Sequence, residues 1–179
     1  MYVLYVILGI LVLLLIIGIS INNGLIRKRN KVDEARSGIE VALTKRYDML
    51  TKQLDVAKAY AKHEEDVFTK MVKMRQGMSI EELEAADASM TQVSQGLIAL
   101  GEAYPELHSD TTYRELQVGI RDAEDQLQAA RRAYNANVTS YNTALEVFPS
   151  SIIAGMKGMQ KASLYVAEDY KREDVKMNF

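Results

Sequence analysis

TYRELQVGIRDAEDQLQAARRAYNANVTSYNTALEVF, residues 112–148, carries apolar side chains at Tyr113, Leu116, Ile120, Ala123, Leu127, Ala130, Tyr134, Val138, Tyr141, Leu145 and Phe148. Steps of three and four residues, sustained over five heptads, are the spacing of a helix that buries one face against other helices. Thr112-x-x-Glu115 ahead of the stripe has the form of a capping box, in which a hydroxyl and a carboxylate each satisfy a free backbone N–H. The helix is expected to stop at Phe148-Pro149, because the residue before a proline disfavours helix.

Working outward, Ser79-Ile80-Glu81-Glu82 reads as a second capping box. The stripe behind it runs Ile80, Leu83, Ala86 or Asp87, Met90, Val93, Leu97 and Leu100, and ends near Gly101. Upstream, a longer helix is expected from about Leu25 to Gln76, with a stripe of Val32, Ala35, Ile39, Leu43, Tyr47, Leu50, Leu54, Ala57, Ala61, Phe68 and Met71. Gly77 supplies a residue that stops a helix in the left-handed conformation. Downstream, Ser150 or Ser151 is expected to cap a short fourth helix, Ile152 to Glu168, which Gly155 and Gly158 weaken. Residues 171–179 read as a charged extended tail. No strand pattern or glycine-rich phosphate loop competes. The fold expected is all-α: an antiparallel long-helix bundle of three long helices and a short fourth.

The bundle is preceded by MYVLYVILGILVLLLIIGISI, residues 1–21, without one charged side chain. A bilayer core takes roughly 20 apolar residues as helix, and a helix satisfies its own backbone where lipid offers no partner. A cleaved signal peptide would have a basic leading region, a shorter apolar core and a small-residue cleavage site, none of which is present. The segment is therefore read as a retained anchor. Arg27, Lys28, Arg29 and Lys31 follow it and nothing basic precedes it, which places the N-terminus outside and the rest in the cytoplasm. The expected organisation is an anchor at 1–21, a basic juxtamembrane segment at 22–31 that runs into helix one, a cytoplasmic bundle at 25–170 and a tail at 171–179. The four cations either set topology alone or also contact anionic lipid headgroups.

Composition excludes much else. About 158 of the 179 residues remain after the anchor, enough for one domain. Net charge is −2 with mixed signs, so no basic stripe points to nucleic acid. Zero cysteines remove disulfide and thiolate chemistry. His63-Glu64 begins like a zinc-protease motif, but the position of its second histidine holds Val67. His108, the other histidine, falls in a loop. No nucleophile has a base at a recognisable spacing, so an enzyme is not expected, nor a metal or cofactor.

A Tyr-Asn pair recurs after seven residues, at Tyr134-Asn135 and Tyr141-Asn142, with Arg131 just ahead. The tyrosines lie on the core stripe, so each hydroxyl needs a partner or the bundle edge. Arg46, Tyr47 and Asp48 of helix one are the expected partners. Either these are ordinary flanking residues, or Arg46, Asp48, Arg131, Tyr134, Asn135, Tyr141 and Asn142 form a polar layer that fixes register.

Beyond these readings, the chain resembles the LemA family of bacterial membrane proteins. The residues that carry the resemblance are Arg29-Asn30 with Val32 and Ala35, Arg46-Tyr47-Asp48 with Leu50, Ala59-Tyr60-Ala61 with His63-Glu64, and Tyr104-Pro105-Glu106-Leu107. Glu115-Leu116, Ile120, Ala130-Arg131, Tyr134-Asn135, Val138, Tyr141-Asn142, Phe148-Pro149 and the ending Val175-Lys176-Met177-Asn178-Phe179 continue it. Thr51 departs from the family, which tends to have proline there. The resemblance implies a helical bundle facing the cytoplasm, no cofactor and a role in membrane organisation, and it names no catalytic residue. Two functions follow as expectations. One is a membrane-anchored scaffold that self-associates, as a homo-oligomer and in the extreme a ring, because helix two is too short to cover the stripe of helix one. The other is an adaptor or regulator, monomeric or a small oligomer, that binds another membrane protein such as a protease or transporter.

Overall fold

The computed structural model describes residues 1–60, 74–75 and 77–166. All regular structure among them is α-helical: α1 (Tyr2–Tyr60), α2 (Ile80–Ala103), α3 (Pro105–Ser109), α4 (Thr111–Glu146) and α5 (Ser150–Met156). His63, Phe68, Met71 and the tail at 171–179 lie outside the described residues.

Helix α1 runs without a break from the apolar segment into the basic residues and beyond. At 1.5 Å per residue it is roughly 89 Å long. Asn22, Asn23 and Gly24 weaken a helix by their propensity and do not interrupt this one. Its apolar N-terminal stretch is unburied, and α1 is the one helix among the described residues long and apolar enough to cross a membrane. Met74 and Arg75 are not helical, so the helix does not reach Gln76 as the stripe had suggested.

The chain forms two compact units, one of residues 1–36 and 132–164 and one of residues 37–131 and 165–179. The second unit holds the larger core. It is built from Ile39, Leu43, Leu50, Leu54 and Ala57 of α1, Leu83, Met90, Val93 and Leu97 of α2, and Tyr113, Ala123 and Leu127 of α4. The helix-one stripe from Ile39 to Ala57 is thus buried by the chain's own side chains. Over these residues the stripe is covered, contrary to the expectation of an uncovered one, while its continuation at Ala61, Phe68 and Met71 lies outside the described residues. Gly101 lets Tyr113 approach, since a Cβ there would lie 3.1 Å from the phenol oxygen, and that hydroxyl donates to the Leu97 carbonyl.

Caps set the helix starts. At α2, Glu82 N–H donates to Ser79 Oγ at 3.2 Å and Ser79 N–H donates to Glu82 Oε2 at 2.7 Å, the reciprocal pattern read from sequence. Gly77, at φ +75°, turns the chain just before it. At α4 the cap is Asp110, whose Oδ1 accepts from the Tyr113 N–H at 2.9 Å. The expected Thr112 box does not form, because Thr112 already lies inside the first turn. A carboxylate at this position also faces the positive end of the helix dipole.

The fourth helix departs most from expectation. It starts at Ser150 and lasts seven residues. Gly158, at φ +60°, ends it: Met159 N–H donates to the Ala154 carbonyl and Gly158 N–H to that of Gly155. This is the Schellman arrangement, which closes a helix and satisfies its last carbonyls. Residues 159–166 then run as a non-helical strap.

Candidate functional site

Within the second unit three helices bring charge into the core. Arg46 of α1, 4% exposed, and Arg131 of α4, 8% exposed, both reach Asp87 of α2. Arg46 Nη1 lies 2.5 Å from Asp87 Oδ1, and Arg46 Nη2 donates to Thr91 Oγ1 at 3.2 Å. Arg131 takes the other carboxylate oxygen. Glu124 of α4 adds a second carboxylate, its Oε2 placed 3.1 Å from Arg46 Nη1. Tyr165 closes the group: its ring lies 4.9 Å from the Arg131 guanidinium, within cation–π range. Burial, with Asp87 close by, pushes the Tyr165 phenol far above its ordinary range, so it stays neutral and acts as a donor. Two guanidinium groups and two carboxylates balance, as buried charges require. The arrangement ties α1, α2 and α4 together through their charged side chains.

The first unit presents a different set of groups. Directly after the apolar stretch, Lys28 donates to Ser140 of α4 at 2.7 Å. Arg27, Lys28 and Lys31 line a cavity of about 310 Å³ with Gly24, Asn137 and Ser140. Arg29 lines a neighbouring cavity with Tyr141 and the strap. The strap itself is held by the Tyr-Asn repeat. Tyr134 donates to the Ser163 carbonyl at 2.8 Å and Tyr141 to that of Gln160 at 3.1 Å. Asn142 makes two bonds at 2.9 Å, donating to the Ala162 carbonyl and accepting from the Ala162 N–H. The repeat therefore replaces the hydrogen bonds that a continued fourth helix would have made within itself.

The second unit also contains a cavity of about 270 Å³, lined by Gln53, Ser94, Ile98, Glu102, His108, Gln117, Ile120 and Arg121. His108 sits on the short α3, an element absent from the sequence reading. Among the described residues no group of three or more histidine, aspartate or glutamate side chains is arranged to hold a metal.

Comparison with known proteins bears on these sites. The pattern of the LemA family matches residues 35–179. The chain belongs to the LemA family. It is 25% identical to Protein LemA of Metamycoplasma hominis over 158 residues, which is 86% of this chain and 72% of that protein. It is 28% identical over 80 residues to Magnetosome protein MamQ of Magnetospirillum gryphiswaldense and to Magnetosome protein MamQ 2 of Paramagnetospirillum magneticum. The alignments to the two magnetosome proteins cover 45% of this chain and 29% of each relative.

The LemA match spans the ion network and the Tyr-Asn repeat, whereas the apolar stretch and the four cations precede it. Of the polar residues singled out in the sequence, Arg46 and Arg131 meet at Asp87, and Tyr134, Tyr141 and Asn142 meet the strap. Asp48 is exposed and Asn135 half-buried. Tyr134, Tyr141 and Asn142 give side-chain hydrogen bonds to the backbone of the strap. Asp87, Glu124 and Tyr165 were not foreseen. Asp87 had a legible signal, an acid at an apolar register of α2. Glu124 and Tyr165 had none.

Proposed function

We propose that this LemA-family protein is a membrane-anchored, non-enzymatic helical scaffold that self-associates at the cytoplasmic face of the membrane and organises it. The observation that carries the reading is the continuity of α1: an unburied apolar stretch and a core-forming helix are one element. The similarity to magnetosome proteins supports a membrane-associated role. In this reading residues 1–21 span the bilayer, residues 22–31 lie at its surface, and residues 25–170 form a cytoplasmic bundle followed by the tail at 171–179. The four cations hold the N-terminus outside and lie level with anionic headgroups.

Self-association is supported by an apolar stripe that the chain leaves open. Phe148 is 80% exposed, Ile152 55% and Met156 79%, and the four-residue spacing puts Ile152 and Met156 on one face of α5. Anchoring confines every copy to one plane and one orientation, which raises the effective concentration for weak contacts. Heterologous contacts between such copies close into a ring when the rotation allows. Native size of the full-length protein in detergent tests the reading: a discrete particle of several copies is expected. A strict monomer would contradict it and favour the adaptor that binds another membrane protein.

A further inference from the structure

We propose that the cavity beside Gln53 binds a small aliphatic carboxylate of free-amino-acid size. Gln53 is 2% exposed, yet its Nε2 is buried without a hydrogen-bond partner, and it lines a cavity of about 270 Å³. A buried amide that donates to nothing is a net cost to folding, and an apolar residue of the same shape would serve the core better. What that nitrogen lacks is an acceptor. Arg121 and Gln117 line the same cavity, so its polar wall is rich in N–H donors, the arrangement that takes a carboxylate. Ile98 and Ile120 provide an apolar wall for a short aliphatic chain, and Glu102 provides a carboxylate for an ammonium group. The volume limits the ligand to a single residue or little more. Convergent polar groups on an otherwise apolar lining are the pattern of small-molecule sites.

Leucine is the probe, with leucinamide as the control that keeps the side chain and amine but has no carboxylate. Isothermal titration of the full-length protein in lipid nanodiscs is expected to give saturable leucine binding and at least about tenfold weaker leucinamide binding. Arg121→Ala, at an exposed position, is expected to weaken leucine by about tenfold without lowering the melting temperature. Gln53→Leu is expected to weaken leucine similarly while holding or raising the melting temperature, the mark of a residue kept for binding at the expense of stability. No saturable leucine binding, equal binding of leucinamide, or unchanged binding in both variants would overturn the assignment. So would a Gln53→Leu protein that is less stable than the parent, since that would make Gln53 a satisfied core residue.

Discussion

Arg46 of α1 and Asp87 of α2 meet at 2.5 Å across 41 residues of chain, and Asp87 turns its other oxygen to Arg131. One carboxylate thus pairs with two guanidinium groups in the core, and Glu124 supplies the second negative charge. Removing the Asp87 carboxylate leaves two buried cations without their main partner. Asp87→Ala is expected to cost roughly 3–5 kcal/mol, read from thermal or denaturant unfolding. The exposed Lys58–Asp55 pair is the internal control: Lys58→Ala should cost well under about 1 kcal/mol.

Glu124 tests how the charge is shared. Its position in the sequence suggests an open helix face, where alanine would do little. Its side chain is instead 29% exposed and faces Arg46. Glu124→Ala is expected to cost about 1 kcal/mol, reduced from the buried-pair value by solvent screening. Unfolding midpoints should rank the parent above Glu124→Ala, and Glu124→Ala above Asp87→Ala.

The strap predicts an ordering among the Tyr-Asn residues. Tyr134→Phe and Tyr141→Phe each remove one donor to a strap carbonyl and should cost about 1 kcal/mol. Asn142→Leu removes two bonds and strands both the N–H and the C=O of Ala162, so it should cost roughly 2 kcal/mol or more. From sequence alone, leucine at Asn135 and Asn142 would be expected to stabilise a helical seam; at Asn142 the strap reverses that sign. Hydrogen exchange at the Ala162 amide is the direct readout, with protection lost in Asn142→Leu and kept in Tyr134→Phe.

Asp110 gives a pH dependence. The Tyr113 N–H it caps holds its carboxyl below the ordinary value of 3.8, and the Tyr60 hydroxyl adds to this. A depressed folded pKa contributes stability that is present above the ordinary carboxylate range and is lost as pH falls through the folded value. Denaturant unfolding between neutral pH and about pH 3 should therefore show a smaller acid loss in Asp110→Asn than in the parent.

The sequence was most legible where a single physical rule dominated. An uncharged apolar stretch, a stripe of three- and four-residue steps, and Ser79-x-x-Glu82 each have one strong reading, and α1, α2 and α4 follow them. The Thr112 box failed because Asp110 competes for the same free N–H groups two residues earlier, and a carboxylate is the better partner at a helix N-terminus. The fourth helix is shorter than its apolar residues imply: Ile152, Met156 and Leu164 suggest a helix, while the stop depends on Gly158 and on partners distant in sequence. Tyr134, Tyr141 and Asn142 were visible as a repeat; what they hold was not, since backbone carbonyls leave no mark in a sequence. Arg46 and Arg131 stood out for the same reason that Asp87 could have done: charge at an apolar register.

The chain has no native cysteine, so single cysteines can be introduced without background. Oxidative crosslinking in intact membranes, with cysteine placed in turn at Phe148, Ile152 and Met156 and at exposed Glu34 as a reference, tests self-association most directly. The scaffold reading predicts disulfide-linked dimers at one or more of the three apolar positions, well above the yield at Glu34. Absence of a self-adduct at all three, or yields no higher than at Glu34, would contradict it.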